Sequence, residues 1–192
     1  MSAQILLLDR VEFTTVKIEA NIGEFKADGS FPQLAVIEDD LTVFARSELA
    51  YPPGETEDPR HFMLTYGVKI EASESGQATP YDIEIEAAGF FRYVGGDEFK
   101  EERRFRAVRF SGYQILYGAI REMVSNVTAR SRHGLWHLPA RNFGAVAEAK
   151  ANEDEAERKA ALAKAAASDS RAAKKKTRSV AAKPKAPAKL SK

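Results

Sequence analysis

Residues 81–143 read YDIEIEAAGFFRYVGGDEFKEERRFRAVRFSGYQILYGAIREMVSNVTARSRHGLWHLPARNF, and this stretch decides the fold. It begins with a regular alternation, in which Ile83 and Ile85 are separated by acidic residues. Such alternation predicts a β-strand with one buried face, here from Tyr81 to Tyr93. The strand is apolar at every position from Ala87 to Phe91. We therefore expect its second half to be covered on both faces.

A long amphipathic helix is predicted after this strand. Ser111 and Gln114 have the spacing of a capping box, which predicts that the helix begins at Ser111. Its end is predicted near Gly134, a residue that readily takes the left-handed conformation found after helices. Between these points one apolar stripe follows at helical intervals: Tyr113, Leu116, Tyr117, Ile120, Val124 and Val127.

The loop after this helix, Leu135 to Pro139, is unusually apolar. A soluble chain normally places polar turn residues in such a loop. The loop is therefore predicted to form apolar surface that binds apolar segments of other molecules. A second helix is predicted from about Phe143 toward Ala167, because this segment is rich in alanine and mixed charges.

Three more strands are predicted before residue 81, over Val11–Ile22, Leu41–Tyr51 and His61–Glu71. The last of these alternates most clearly between apolar and other side chains. Four strands with no helix between them imply antiparallel pairing, because parallel strands need long crossover connections. The predicted fold is thus α+β: a four-stranded antiparallel sheet, a long amphipathic helix and a second C-terminal helix.

Charge divides the chain near residue 150. Residues 1–149 contain 16 Lys and Arg against 23 Asp and Glu, whereas residues 150–192 contain 13 against 5. Residues 171–192 hold nine basic residues and no acidic or aromatic one, a composition typical of disorder. We predict a folded domain over residues 1–149, a helical extension over 150–170 and a disordered tail over 171–192. The composition of the tail fits two alternatives: a solvated, solubilising extension, or contact with polyanions without sequence specificity.

The sequence offers no equipment for catalysis, so we expect a protein that is not an enzyme and binds no cofactor. There is no cysteine, so no thiolate ligand is available, and with three histidines a zinc site would need mostly carboxylate ligands. His133 and His137 flank an apolar pair of residues, without a nearby third ligand or a nucleophile. We expect neither catalytic nor metal-binding residues.

Residues 95–99 spell GGDEF, the signature of diguanylate cyclases. The surrounding sequence does not supply the inhibitory arginine–aspartate pair of those enzymes, and a motif is only a hypothesis about its context. We instead predict a Gly-Gly turn that closes the fourth strand, followed by Asp97 as the N-cap of a helix over residues 98–108.

The absence of cysteine favours a reducing, cytoplasmic setting. The apolar run at residues 5–8 is too short for a secretory signal and is followed at once by charged residues. No stretch is long enough to cross a membrane, so we expect no membrane insertion.

Residues 81–143 also resemble the SecB-type chaperones, which hold unfolded preproteins for export. The resemblance comprises positions in the fourth strand, the long helix and the loop after it, with a weaker anchor at Glu19-Ala20. The matching positions are Glu84, Gly89, Phe91, Ile115-Leu116, Arg121-Glu122, Ser125, Thr128, Arg130, Leu138-Pro139 and Asn142-Phe143. Departures include Thr15 in place of an acidic residue, Ser131-Arg132 in place of a Gly-Gly pair, and the basic tail.

The resemblance implies an ATP-independent chaperone that assembles as a homotetramer, a dimer of dimers. The apolar helix stripe, from Tyr113 to Val127, then becomes an oligomer interface. Unfolded polypeptide clients would bind in apolar grooves formed by the connection between the first two strands and by the loop after the helix. The client-binding residues that this predicts are Phe25, Phe31, Leu135, Trp136 and Leu138.

The resemblance further implies delivery of clients to the SecA export motor. Glu19 and Glu84 are similar in position to acidic residues that contact this motor on the exposed sheet face. An alternative remains open, since some SecB-like proteins serve other partners. The chain would then be a chaperone or scaffold for a toxin–antitoxin system, or would associate with nucleic acid through its basic tail.

Overall fold

The computed structural model describes residues 5–22, 41–72, 79–96 and 99–180. These residues form four strands and two long helices, with a short 3-10 turn at Pro53–Glu55. The predicted α+β class and the antiparallel sheet are confirmed. In chain order the elements are β1 (Leu6–Ala20), β2 (Leu41–Ala50), β3 (His61–Ala72), β4 (Tyr81–Tyr93), α1 (Glu102–Thr128) and α2 (Gly144–Val180).

The sheet has the strand order β1-β4-β3-β2, and every neighbouring pair is antiparallel. β4 lies between β1 and β3, which explains why its sequence is more apolar than that of the other strands. In its second half, Ala87, Ala88 and Phe91 are all buried. β1 begins at Leu6, earlier than predicted, and has register shifts between Leu8 and Arg10 and between Phe13 and Thr15. Those irregularities hide the start of the strand from a search for strict alternation.

The prediction that the long helix begins at Ser111 is wrong. α1 begins at Glu102, and Ser111 lies near its middle. The spacing of Ser111 and Gln114 imitates a capping box, but the apolar face continues upstream through Phe105 and Val108, both buried. Asp97, the predicted N-cap of a separate helix, lies outside the described residues. Gly134 has a φ of 77°, so its predicted left-handed conformation is confirmed, but α1 ends at Thr128, six residues earlier than predicted.

α1 packs on one face of the sheet and contacts β1, β3 and β4. The approach is closest at Gly112, where a Cβ atom would lie 2.5 Å from Cδ2 of Leu64. A side chain at this position would therefore push the helix away from β3. The core between helix and sheet includes Leu64, Ile85 and Leu116, all nearly inaccessible to solvent.

α2 extends from Gly144 to Val180, beyond the predicted helical segment. Residues 171–180, which we expected to be disordered, are therefore helical. The rest of the basic tail, residues 181–192, lies outside the described residues. The chain divides into two compact units, residues 1–155 and residues 156–192. All the sites described below lie in the first unit.

Candidate functional site

The loop from Leu135 to Pro139 is held against the body by hydrogen bonds to its backbone. The hydroxyl of Thr128 accepts a hydrogen bond from the Trp136 N–H at 2.9 Å. Arg121 Nε donates to the Leu138 carbonyl at 2.9 Å, and the Tyr117 hydroxyl donates to the Pro139 carbonyl at 2.6 Å. The matching positions Arg121, Thr128 and Leu138-Pro139 are thus parts of one arrangement that fixes this loop.

The expectation that this whole loop forms apolar surface is wrong. Trp136 and Leu138 are only 2% and 1% exposed. The Trp136 ring packs against Tyr81 of β4, with ring centroids 6.1 Å apart. Both side chains turn inward because β4 and α1 supply apolar partners for them. Leu135 is the one predicted client-binding residue among these three that reaches the surface, where it is 39% exposed.

The remaining predicted client-binding residues, Phe25 and Phe31, lie outside the described residues. Binding of clients by any of the five predicted residues stays a prediction. Because Trp136 and Leu138 are buried, they could contact a client only if the loop moved away from the body of the chain.

The helix stripe predicted to form an oligomer interface faces the chain's own sheet. Five of its six side chains are buried within one copy of the chain: Tyr113, Leu116, Tyr117, Ile120 and Val124. This corrects the prediction that the stripe is an assembly surface, since these side chains have no area left to give to a second copy. Val127 alone of the six is exposed. The oligomeric state itself stays a prediction.

Glu19 and Glu84 share the sheet face opposite to α1, on the neighbouring strands β1 and β4. In the register of these strands Lys17 stands opposite Glu84, and Lys17 Nζ lies 3.2 Å from a carboxylate oxygen of Glu19. Lys69 of β3 stands opposite Glu84 on its other side. The two acidic residues are therefore interleaved with lysines, and their contact with a motor protein stays a prediction.

An apolar groove that the sequence did not reveal runs beside the outer face of α1. It has a volume of about 470 Å³. Phe110 projects from α1 and is 39% exposed, and Arg106 and Arg103 flank it one and two turns before. The other side chains that line it include Ile5, Phe99 and Ala107. A helix predicted from Glu102 would have placed Phe110 away from the buried stripe, so the wrong helix start concealed this groove.

A second cavity, of about 560 Å³, lies between β2, β3, α1 and the start of α2. On its α1 side, Arg109 forms a two-pronged ion pair with Asp154, with N–O distances of 2.5 and 2.7 Å. Arg109 Nη1 also donates to the Tyr113 hydroxyl at 2.6 Å. Burial lowers the pKa of Arg109, but the bonds with Asp154 and Tyr113 outweigh it and raise this pKa, so the arginine stays charged.

The first turn of α1 is fixed by Arg104, which is buried. Its guanidinium donates to the Asp58 carboxylate and, at 2.9 Å, to the Pro59 carbonyl. These donors, together with Arg60, lower the pKa of Asp58. The pairing holds the start of α1, and with it the groove beside Phe110, in a fixed position relative to the sheet.

The described residues contain no group of three or more His, Cys, Asp or Glu side chains placed to hold a metal ion. His137 Nδ1 lies 2.7 Å from the Ser125 hydroxyl, and His133 Nε2 lies 2.8 Å from the Asn21 carbonyl. Both histidines therefore join the loop after α1 to neighbouring segments. Over the described part of the chain, no helix is long and apolar enough to cross a membrane.

Comparisons with known proteins give structural similarity at low sequence identity. No family model matches the sequence, and no curated protein matches it. One similar solved structure is a Mycobacterium tuberculosis SecB-like chaperone in complex with a ChAD peptide from the HigA1 antitoxin. It is 18% identical, with a TM-score of 0.47, over 72% of this chain and 91% of that one. Another is a Streptococcus agalactiae protein of unknown function, 11% identical, with a TM-score of 0.39, over 72% of this chain and 100% of that one.

Proposed function

We propose that this chain is an ATP-independent chaperone that holds unfolded polypeptide segments against apolar surface. The observation that carries the proposal is the groove beside Phe110, where a large aromatic side chain of a regular helix remains exposed next to other apolar residues. The resemblance of residues 81–143 to SecB-type chaperones is in accord with it. We therefore assign client binding to this groove, and no longer to the loop at Trp136 for which the sequence predicted it.

Burial of apolar surface is sufficient to drive such binding without a nucleotide. Covering one aromatic or branched apolar side chain contributes about 1.5–3 kcal/mol, and this gain does not depend on the order of residues in the client. Unfolded segments expose many such side chains, whereas folded proteins bury them. Arg103 and Arg106 at the edges of the groove add contacts for client carboxylates and backbone carbonyls.

The finer parts of the proposal concern assembly and delivery. We propose a cytoplasmic homotetramer that passes export clients to the SecA motor through the sheet face that carries Glu19 and Glu84. The lysines beside these acidic residues would set the register of such a contact, because opposite charges on one face favour a single alignment of partner charges. In this proposal the chain carries out no chemical reaction.

Light scattering with a thermally aggregating client tests the proposal. We expect the wild-type chain to suppress aggregation and Phe110→Ser to lose several-fold in suppression at equal concentration. Phe44→Ser is the matched control, because Phe44 is also an exposed phenylalanine, 56% accessible on β2, and does not line the groove. Failure of the wild-type chain to suppress aggregation at molar excess would refute the proposal. Equal losses in both variants would remove the groove from it.

A further inference from the structure

The cavity between β2, β3, α1 and the start of α2 has more hydrogen-bond donors than acceptors. Its volume of about 560 Å³ is in the range of small-molecule sites. Its lining combines polar and apolar side chains. The side chains on which the inference depends are Ser47, Tyr66, Tyr113, Arg141, Phe143 and Val146.

The first surplus donor comes from the pair of hydroxyls at Ser47 and Tyr113, which lie 2.8 Å apart. Arg109 can only donate, and it donates to Tyr113 at 2.6 Å and to Ser47 at 3.3 Å. One hydroxyl of the pair must donate to the other, and the hydrogen of the second then has no acceptor among the described residues. This holds whichever of the two hydroxyls is the donor.

The second surplus donor is the hydroxyl of Tyr66. Tyr66 is 4% exposed; the guanidinium of Arg141 approaches its oxygen as a donor, and the hydrogen of the hydroxyl has no acceptor in the described structure. Burial raises the pKa of this hydroxyl, and the nearby Arg141 only partly opposes that effect. The group therefore remains protonated at neutral pH. Buried polar groups without partners are rare in folded proteins, so this hydroxyl hydrogen needs an acceptor, which a ligand in the cavity would supply.

The charges around the cavity leave one positive group uncompensated. Arg46 is paired with Glu86 at 2.6 Å, and Lys150 is paired with Glu153 at 2.6 Å. Arg141 forms no ion pair with any carboxylate of the described residues. A guanidinium without a carboxylate partner, beside spare hydroxyl hydrogens, suits a singly charged anion that brings several acceptor lone pairs.

The apolar residues of the cavity lining indicate which kind of molecule the anionic group belongs to. Phe143 is buried at its base, while Val146 is 44% exposed at its opening. We propose that this cavity binds a carboxylate attached to an apolar body, with Arg141, Tyr66 and the Ser47–Tyr113 pair as donors to the carboxylate. A free apolar acid and the C-terminus of a polypeptide both present this chemistry. The site does not depend on the proposed chaperone function.

Calorimetric titration of the full chain tests this site with defined probes. We expect hydrocinnamate to bind at least about ten-fold more tightly than hydrocinnamamide, which has the same shape without the charge. Acetyl-alanyl-phenylalanine with a free carboxylate distinguishes the two sources, because tighter binding than hydrocinnamate indicates a polypeptide C-terminus and weaker binding a free acid. Equal affinity for acid and amide, no binding of either acid, or tighter binding of inorganic phosphate would overturn the proposal.

Two variants connect the binding to the named donors. Arg141→Gln should weaken hydrocinnamate binding about ten-fold, whereas Arg132→Gln, which removes an exposed arginine outside the cavity, should leave it unchanged. Tyr66→Phe should weaken binding several-fold while its melting temperature equals or exceeds that of the wild-type chain, because it removes an unsatisfied buried hydroxyl. A purely structural role for Tyr66 predicts the opposite: a lower melting temperature with unchanged affinity. Unchanged affinity in both variants would contradict the assignment.

Discussion

The two faces of α1 carry similar apolar residues, but those of the inner face are buried and Phe110 on the outer face is exposed. The inner face, with the loop that packs beside it, buries Leu116 and Trp136 almost completely, whereas the outer face leaves Phe110 39% exposed. Apolar character therefore does not by itself distinguish core from exposed surface in this chain. What distinguishes them is whether another element of the same chain covers the residue: β4 covers Trp136, while Phe110 lies at an open groove.

The largest expected effect comes from Trp136 on the inner side. Trp136→Ala should lower the free energy of unfolding by about 3–5 kcal/mol, because it leaves a cavity beside Tyr81. Phe110→Ser on the outer face should change it by about 0.5 kcal/mol or less, as is usual for surface positions. Urea denaturation followed by circular dichroism measures both, since Trp136 is the only tryptophan of the chain. The contrast between the faces would be wrong if both variants unfolded at similar urea concentrations.

Substitution by alanine should change stability in opposite directions at two glycines of α1, and by less than Trp136→Ala does. Gly112→Ala should destabilise the chain by about 1–3 kcal/mol, because the new Cβ would lie 2.5 Å from Leu64. Gly118→Ala should instead stabilise it by about 0.5–1 kcal/mol, since nothing lies within 4 Å of its Cβ position and alanine favours helix. Thermal unfolding of the two variants gives the sign of each change. A gain in stability for Gly112→Ala would show that α1 does not approach β3 as described.

The sheet and the middle of α1 could be predicted because the spacing of their apolar residues repeats over a few neighbouring positions in the sequence. β4 has the predicted bounds, Tyr81–Tyr93, since it alternates and is followed, after Val94, by two glycines. The first turns of α1 were predicted only as part of a separate helix over residues 98–108, because they are rich in Glu and Arg and the one buried arginine there, Arg104, is satisfied by Asp58 from a distant turn. A pattern search sees such residues as solvent-exposed.

The candidate sites were less predictable because they depend on contacts between distant residues. Trp136 is buried by Tyr81, and the loop before it accepts a hydrogen bond from the Tyr81 hydroxyl at the Gly134 carbonyl. The second cavity combines Ser47, Tyr66 and Arg141 from three separate segments. None of these pairings leaves a spacing signal in the sequence. Phe110 did leave one, since it lies off the apolar stripe of a helix that begins at Glu102.

Site-specific photocrosslinking tests the central claim most directly. A photoreactive phenylalanine analogue placed at Phe110, at Leu135 or at Phe44 would be irradiated in the presence of a radiolabelled unfolded client. Our account predicts strong crosslinks from position 110, weaker ones from position 135 and background levels from position 44. Crosslinks concentrated at position 135 or 44, with none at position 110, would contradict the assignment of the outer face of α1 as the client-binding surface.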